Sequence, residues 1–400
     1  MAVTGGVMKL GIAGLGVGAN TVIQQADSAP FVELVAAADI RPQALKAFEQ
    51  RFGGSTYESV EALARDPNVE VVWVSTPNLL HCEHTVTLLE HGKHVIVEKP
   101  MATTLEDAER MVETADRVGI KLMCGHTASL LPGFRAMRKV ISSGRLGKVQ
   151  AINCWSYVDW IFRPRMPDEI DLSKGGGQPF RQGPHQFDCV RLMGGGLVKS
   201  VRGSVREWMP FRPTPTYYTA FLEFEDGTPA TVVKDGTGYF ATTELVPWAA
   251  SRSPSRRSAE LRKALREGRP TEDAEWKEAR RFGGEASGNE AEGDGAGGGR
   301  SGFQRDAGLV IVSCERGAVR QSYGGIYVYD DDGVHDEQVG DIQGGRRTEL
   351  EEMYAALRED RPVPHDGRWG LGTLEVILAM LQSSREGREI RLSHQCPAWE

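Results

Sequence analysis

The sequence predicts an α/β protein whose first third is a doubly wound parallel sheet covered by helices. Short, nearly continuous apolar runs alternate with helix-length segments in this part of the chain. Such runs are typical of strands that are buried on both faces, and their alternation with helices is typical of βαβ units. The length of 400 residues also exceeds one domain, since a domain takes roughly 150 residues.

The elements of this first domain can be placed from local signals. Thr104 with Asp107 predicts the start of a helix, and the run from Asp116 to Gly119 predicts its end. We expect the first domain to occupy residues 1–125. The predicted strands are residues 8–13, 32–38, 69–74, 94–97 and 121–124.

Composition and charge exclude several classes of protein. The chain has 47 basic and 55 acidic residues, a net charge of −8, which argues against a nucleic-acid-binding surface. No run approaches the roughly 18 apolar residues of a membrane span, and no signal peptide is recognisable. The six cysteines are scattered singly, which is typical of free thiols in a reducing compartment. We therefore expect a cytoplasmic protein that uses no metal and binds neither membrane nor nucleic acid.

A glycine-rich turn follows the first predicted strand and indicates dinucleotide binding. Residues 14–19 read Gly-Leu-Gly-Val-Gly-Ala, in which Gly14 permits a tight turn and Gly16 lets the backbone approach a pyrophosphate. Ala19 is small enough for close packing of the helix on the strand. We predict that Gly14, Leu15, Gly16 and Val17 contact the cofactor; the alternative is a turn that serves packing only.

The end of the second predicted strand bears on the choice of cofactor. Asp39 lies about 20 residues after the turn, where a carboxylate can bind ribose hydroxyls and would repel a 2′-phosphate. The prediction is therefore NAD. Arg41 keeps NADP open, because its guanidinium could pair with that phosphate or stack on adenine.

The next motif resembles the Gfo/Idh/MocA oxidoreductases, the family of glucose-fructose oxidoreductase and inositol dehydrogenase. It consists of residues 75–78, Ser-Thr-Pro-Asn, then His81, then residues 92–100, which end in Glu-Lys-Pro. The resemblance implies that Lys99 lies beside the nicotinamide and the substrate oxygen, where its charge can stabilise an alkoxide; otherwise it is a solvated lysine at a strand end. The cofactor residues assigned to this motif are Thr76, Pro77, Asn78, His81, Glu98 and Lys99.

The resemblance also implies a second α/β domain, residues 126–400, with a large, mainly antiparallel sheet. Residues 225–227, Glu-Asp-Gly, predict a hairpin turn within it. The resemblance further implies a homodimer or homotetramer that forms through the outer face of this sheet. The expected strands are residues 148–157, 217–224, 230–235, 308–314 and 326–329, and the expected helices are residues 347–358 and 371–384.

One segment interrupts this pattern. Residues 251–305 contain ten glycines, dense mixed charge and few large apolar side chains, a composition that buries little surface. We predict a low-complexity, mobile insertion with one polar helix at about residues 258–267. It is either a lid over the site or a tolerated surface insertion.

A second family motif is altered in this chain. His185 and Asp188 match it, but Arg181 stands where family members commonly have an aspartate. The resemblance and an ordinary pKa near 6.5 make His185 the predicted base for a hydroxyl proton; a capping histidine is the alternative. Pro184 predicts the first residue of a helix, with Arg181 in the loop before it.

The arginine changes what the pocket should bind. A guanidinium offers a planar fork for carboxylate or phosphate, whereas aspartate suits sugar hydroxyls. Residues 155–165 add Trp160, Arg163 and Arg165 among further aromatic side chains, and we also assign His126 to the substrate site. The expected substrate is a small, anionic, flat or cyclic molecule. The alternatives are sheet core or subunit interface for the aromatic rings and surface salt bridges for the arginines.

Within the family, these residues and the segments 308–317, 321–322 and 327–329 resemble the phthalate 4,5-cis-dihydrodiol dehydrogenase group. The resemblance implies oxidation of a carboxylated cyclic diol to 4,5-dihydroxyphthalate with hydride transfer to NAD. Two alternatives stay open: a family dehydrogenase of another polyol, sugar or carboxylated semialdehyde, and a dinucleotide-binding regulator that has lost its chemistry.

Overall fold

The computed structural model describes residues 6–246, 256–286, 306–340 and 345–399 of the chain. These residues fall into two compact units. The first takes residues 6–126, 274–286 and 345–371, and the second takes residues 127–246, 256–273, 306–340 and 372–399. Each unit is thus assembled from segments that are separated in the sequence.

The first unit is built around a six-stranded parallel sheet. Its strands are β1 (Met8–Ala13), β2 (Val32–Ala38), β3 (Ser55–Tyr57), β4 (Val71–Val74), β5 (His94–Glu98) and β6 (Leu122–Gly125). They are ordered β3-β2-β1-β4-β5-β6. Every residue of β4 is fully buried, as expected of a strand covered by helices on both faces. The predicted parallel sheet is confirmed, with the three-residue β3 in addition.

The second unit contains a nine-stranded sheet. Its strands are β7 (Val149–Tyr157), β8 (Val198–Arg206), β9 (Tyr217–Phe224), β10 (Pro229–Asp235), β11 (Leu309–Cys314), β12 (Gly317–Gln321), β13 (Gly325–Asp330), β14 (Gly333–Gln338) and β15 (Ile390–Arg391). The order is β14-β13-β12-β11-β7-β10-β9-β8-β15. Strands β7 and β10 pair in parallel, and the other neighbours pair antiparallel. The predicted mainly antiparallel sheet is confirmed, and the turn between β9 and β10 lies where it was expected.

Helices cover both sheets. In chain order they are α1 (Val17–Asp27), α2 (Pro42–Phe52), α3 (Val60–Ala64), α4 (His81–Glu90), α5 (Leu105–Val118), α6 (Pro132–Ser142), α7 (Pro167–Ile170), α8 (Gly177–Met193), α9 (Arg256–Arg266), α10 (Asp273–Arg280), α11 (Arg346–Arg358) and α12 (Gly367–Glu386). The Thr104 hydroxyl accepts a hydrogen bond from the Asp107 amide at 3.1 Å, and Gly119 ends α5 with φ +69°. Both predicted ends of that helix are confirmed. In the described ranges no helix has the length and apolarity to cross a membrane.

The inserted segment contains more structure than its composition predicts. The prediction of a single polar helix is wrong, because α10 follows α9. Leu261 and Leu265 of α9 pack against the apolar cluster around Trp160, and Phe282, just after α10, stacks on Phe52 with ring centres 6.5 Å apart. A few well-placed apolar side chains therefore suffice to dock both helices. Residues 251–255 and 287–305, the rest of the segment predicted to be mobile, lie outside the described residues.

Candidate active site

The turn between β1 and α1 has the features that a bound pyrophosphate requires. Gly14 has φ +90°, and a Cβ there would lie 2.9 Å from the Ser75 carbonyl and the Thr76 nitrogen, so only glycine fits. Gly16 is the N-cap of α1, and no atom lies within 4 Å of the position of its missing Cβ. No side chain caps this helix and its first turn holds no acidic residue. The backbone therefore presents an open, anion-attracting helix end.

Asp39 and Arg41 are bound to each other and to this turn. One carboxylate oxygen of Asp39 accepts from the Leu15 amide at 2.7 Å, and the other accepts from the Arg41 amide at 2.8 Å and Nε at 3.0 Å. Arg41 Nη2 also donates to the Leu15 carbonyl at 2.7 Å. The structure thus brings Leu15, Asp39 and Arg41 together at the ribose end of the predicted site. The sequence could not show that Arg41 folds back on Asp39 and offsets its charge.

His81 connects the loops that follow β4 and β5. Its ring is 1% exposed, with Nδ1 2.9 Å from the Pro100 carbonyl and Nε2 2.9 Å from the Thr76 carbonyl. Burial lowers the pKa of His81, although both carbonyls favour its protonated form. The residue therefore holds Thr76 and Pro100 in place, with Pro77 and Asn78 directly following on the first loop.

The end of β5 is fixed by residues that the sequence analysis missed. Glu98 pairs with Arg346 Nη2 at 2.6 Å and accepts from Trp73 Nε1 at 3.3 Å. Arg346 also lies 3.2 Å from Glu349. Burial disfavours the charge of Arg346, but the carboxylates of Glu98 and Glu349 outweigh burial and raise its pKa. The only sequence signal was an arginine and a glutamate one turn apart at the start of a predicted helix.

Lys99 and His126 follow the ends of adjacent strands in the first unit. Lys99 is partly buried and joins Pro100 through a cis peptide bond. His126 is 3% exposed, with Nε2 3.7 Å from the Cys124 sulfur and its ring 5.9 Å from that of His365. The ends of β5 and β6 thus carry the predicted catalytic lysine and a buried histidine.

Helix α8 carries the second motif, and its start differs from the prediction. The helix begins at Gly177 and Pro184 lies inside it, so the expectation that Pro184 starts the helix and Arg181 precedes it in a loop is wrong. Gly176 is the N-cap of the helix, and the contacts of α8 with the sheet offset the cost of the proline, which leaves the Phe180 carbonyl without its usual partner. Arg181 and His185 are consequently one turn apart on one face.

Arg181 has a carboxylate partner within the second unit. Its Nη2 lies 2.9 Å from Glu169 Oε1, with side chains that are 28% and 16% exposed. The other Glu169 oxygen accepts from the Met166 amide at 2.8 Å. Glu169 therefore orients the guanidinium and partly offsets its charge. No sequence motif predicted a role for Glu169.

Asp188 and Gln186 attach α8 to its surroundings. The fully buried Asp188 carboxylate accepts a short hydrogen bond from the Ser129 hydroxyl. Gln186 donates to the Val233 carbonyl at 3.2 Å and accepts from the Tyr218 hydroxyl at 2.7 Å. These contacts to Ser129 and to the sheet fix the helix that carries Arg181 and His185.

The Arg163–Arg165 region is buried. Arg163 is 6% exposed, 3.6 Å from Asp159 and 3.5 Å from Asp306. Arg165, also 6% exposed, has its guanidinium 4.5 Å from the centre of the fully buried Trp160 ring. The alternative that these arginines form surface salt bridges is wrong, because both side chains are buried. Trp160 is fully buried in an apolar cluster, which agrees with the alternative that the aromatic rings of this segment belong to the core.

Lys234 is a further buried cation that the sequence analysis missed. It is fully buried, and its Nζ donates to the Ser156 hydroxyl and the Asp306 carbonyl, each at 2.9 Å. The sequence pattern could have indicated its burial, because Ala230, Val232 and Lys234 occupy every second position of β10 and share its buried face. In the described parts of the chain, no cluster of three or more metal-ligating side chains occurs.

Comparison with known proteins places the chain in a family. Residues 8–126 match the family described as "Oxidoreductase family, NAD-binding Rossmann fold", and residues 134–237 match the "GFO/IDH/MocA C-terminal domain". The 1-carboxy-3-chloro-3,4-dihydroxycyclohexa-1,5-diene dehydrogenase of Comamonas testosteroni is 31% identical, over 94% of this chain and 95% of its own.

Solved structures agree with this assignment. A protein from Bordetella bronchiseptica RB50 is 32% identical with a TM-score of 0.86, over 96% of this chain and 100% of its own. The WlbA dehydrogenase of Bordetella pertussis was solved with NADH and UDP-GlcNAcA. It is 21% identical with a TM-score of 0.71, over 97% of this chain and 99% of its own, and it shows that the fold is shared. The chain therefore belongs to the Gfo/Idh/MocA family and is an NAD(P)-dependent dehydrogenase.

Proposed function

We propose that this dehydrogenase oxidises a cyclic diol that carries ring carboxylates, with a phthalate cis-dihydrodiol as the first candidate and 4,5-dihydroxyphthalate as its product. The observation that carries the proposal is Arg181, which shares a face of α8 with His185 at a position where the family commonly has aspartate. A guanidinium binds a carboxylate through two parallel hydrogen bonds, which an aspartate cannot do.

The full-length relative supports the same substrate class. Its name describes a six-membered ring with one carboxyl group and two adjacent hydroxyl groups. A carboxylated ring diol of this type differs from the phthalate dihydrodiol in its substituents and shares its reacting group. The choice between such rings depends on pocket residues, since the fold alone does not determine the substrate.

The proposed chemistry assigns one task to each side chain. Arg181 binds a substrate carboxylate and so orients the ring. His185 accepts the proton of the hydroxyl group that is oxidised, and Lys99 stabilises the negative charge that develops on its oxygen. When bound, NAD supplies the acceptor for the hydride that leaves the carbinol carbon. The hydroxy-ketone that forms then tautomerises to an aromatic catechol, which makes the oxidation favourable.

A neutral polyol or sugar is the second candidate, and one observation favours it. Glu169 already pairs with Arg181 at 2.9 Å, so the pair together carries no net charge. A pair of this kind can bind hydroxyl groups through both its donor and its acceptor. The two candidates therefore predict that the unaltered protein turns over different substrates.

The experiment measures NADH formation at 340 nm with the phthalate cis-dihydrodiol, the same ring without carboxylates, inositols and aldoses. We expect selective turnover of the carboxylated diol by the unaltered protein. In Arg181→Gln, kcat/KM for that diol should fall about 100-fold, mainly through KM, because a charge-assisted bidentate contact is lost. Lys174→Gln is the matched control, since Lys174 lies on the surface and pairs with Asp168.

Two results would contradict the proposal. Turnover of neutral polyols alone would favour the second candidate. Unchanged KM for the carboxylated diol in Arg181→Gln would remove the arginine from substrate binding.

A further inference from the structure

The described end of the inserted segment packs beside the phosphate-binding turn of the first unit. The Asn20 side-chain amide donates to the Arg280 carbonyl at 2.8 Å. Two residues later, Phe282 stacks on Phe52 at the end of α2, and a Cβ on Gly283 would lie 3.2 Å from Ala47. The segment is thus attached to both α1 and α2, the two helices that follow the Gly14–Gly16 turn and Asp39.

The attachment point lies at the anion-attracting end of α1. Asn20 is in the first turn of this helix, which begins at Val17. Side chains on a helix lean toward its N-terminus, so the Asn20 amide brings the Arg280 backbone toward the end that faces the pyrophosphate. The Arg280 side chain therefore starts near the helix end that would face the phosphates.

Among the residues that the structure describes, Arg280 has no anionic partner. Its guanidinium lies 4.0 Å from the centre of the Trp276 ring. Its Nε is buried and has no hydrogen-bond acceptor among the described residues, and Asn20 Oδ1 has no hydrogen-bond donor among them. The next residue differs, since Arg281 pairs with Glu278 at 2.9 Å. A buried donor without an acceptor is uncommon in folded proteins and calls for an explanation.

We propose that Arg280 is a cofactor-binding residue that contacts the phosphates on the adenosine side of the dinucleotide. A phosphate supplies the acceptor that Arg280 Nε lacks, and a guanidinium matches phosphate geometry better than a lysine does. The inserted segment, on this proposal, adds a positive charge to the dinucleotide site of the first unit. The proposal depends on the NAD-binding domain and not on the identity of the substrate.

The test measures binding of ADP, adenosine and NADH to the full-length protein by titration calorimetry. In Arg280→Gln we expect the Kd of ADP to rise about tenfold, as loss of one charge-assisted contact predicts. NADH should weaken similarly, adenosine should change less than twofold, and the salt dependence of ADP binding should become shallower. Arg281→Gln is the matched control and should bind all three ligands as the unaltered protein does.

The Arg280→Lys variant distinguishes the effect of the positive charge on ADP binding from the effect of side-chain packing. It keeps the positive charge and should retain more affinity for ADP than Arg280→Gln. Equal loss in both variants, an unchanged Kd for ADP in Arg280→Gln, or the same weakening for adenosine as for ADP would each overturn the proposal.

Discussion

Arg181 and Arg163 differ in their freedom to exchange partners. Arg181 and Glu169 are partly exposed, at 28% and 16%, and partly exposed ion pairs contribute only about 0–1 kcal/mol. A substrate carboxylate can therefore share or replace Glu169 at little cost. Arg163 is 6% exposed and pairs with Asp159 and Asp306, and separating a buried charge from its partners is costly. We infer that Arg181 meets the substrate and that Arg163 maintains the pocket.

Lys99 gives the most direct test of the proposed chemistry. Lys99→Ala should lower kcat at least about 100-fold, because a positioned cation that stabilises a developing alkoxide contributes several kcal/mol to the barrier. The Kd of NADH should stay within threefold of the unaltered protein, as roughly expected when one of many cofactor contacts is lost. Stopped-flow turnover and fluorescence titration with NADH measure the two quantities. An unchanged kcat would remove Lys99 from the mechanism.

The C-terminal end of β5 is held in place by a helix that lies far away in the sequence. Arg346 at the start of α11 pairs with Glu98 at 2.6 Å and with Glu349 at 3.2 Å, and its guanidinium lies 5.1 Å from the Trp73 ring. This cluster fixes the residue that precedes Lys99. The position of the proposed catalytic lysine therefore depends on a buried charge network.

Removal of the Arg346 charge should destabilise the first unit strongly. Arg346→Gln leaves two largely buried carboxylates, Glu98 and Glu349, without their counter-charge, which typically costs about 3–5 kcal/mol. Urea unfolding followed by circular dichroism measures the change in the free energy of unfolding. Arg368→Gln is the control, because Arg368 and Asp116 are 57% and 48% exposed and their pair should contribute under about 1 kcal/mol. Similar losses in the two variants would contradict this account.

Helix α8 shows how a local rule can mislead. Pro184 after Gly183 favours a helix start, and the sequence alone offered no reason to extend the helix backward to Gly177. The fold supplies that reason, since Gln186 and Asp188 bind the sheet and Ser129 and so fix the helix axis. Tertiary contacts thus outweigh the cost of a proline within the helix.

For the whole molecule, local patterns predicted the class of both sheets, the glycine-rich turn and the ends of α5. These features depend on periodicity and on residues close together in the sequence. The sequence did not predict the contact of Arg346 with Glu98, the pairing of Arg181 with Glu169, or the docking of Phe282 on Phe52. Each joins segments that only the folded chain brings together, so no local pattern encodes it.

The carboxylate of Glu375 in α12 binds three residues of the tail after β15. Glu375, 5% exposed, accepts from the Ser393 amide at 2.7 Å, the His394 amide at 3.0 Å and the Gln395 side chain at 2.7 Å. Burial alone would raise the pKa of Glu375, but the bonds from Gln395, Ser393 and His394 outweigh it and lower the pKa below the ordinary value of a glutamate. Its titratable or charged neighbours are His394, 2.9 Å away, and Arg191, which bonds Gln395.

This attachment should make part of the protein's stability depend on pH. A carboxyl group with a lowered pKa in the folded state stabilises the fold above its unfolded pKa, roughly 4.3, and this contribution is lost as the pH falls through the folded value. Glu375→Gln should therefore be about 1–3 kcal/mol less stable than the unaltered protein at pH 7, and the difference should shrink below roughly pH 4.3. Urea unfolding at pH 7, 5 and 3.5 measures this, with the exposed Glu389→Gln as control. A difference that stays constant from pH 7 to 3.5 would show that the Glu375 charge does not hold the tail.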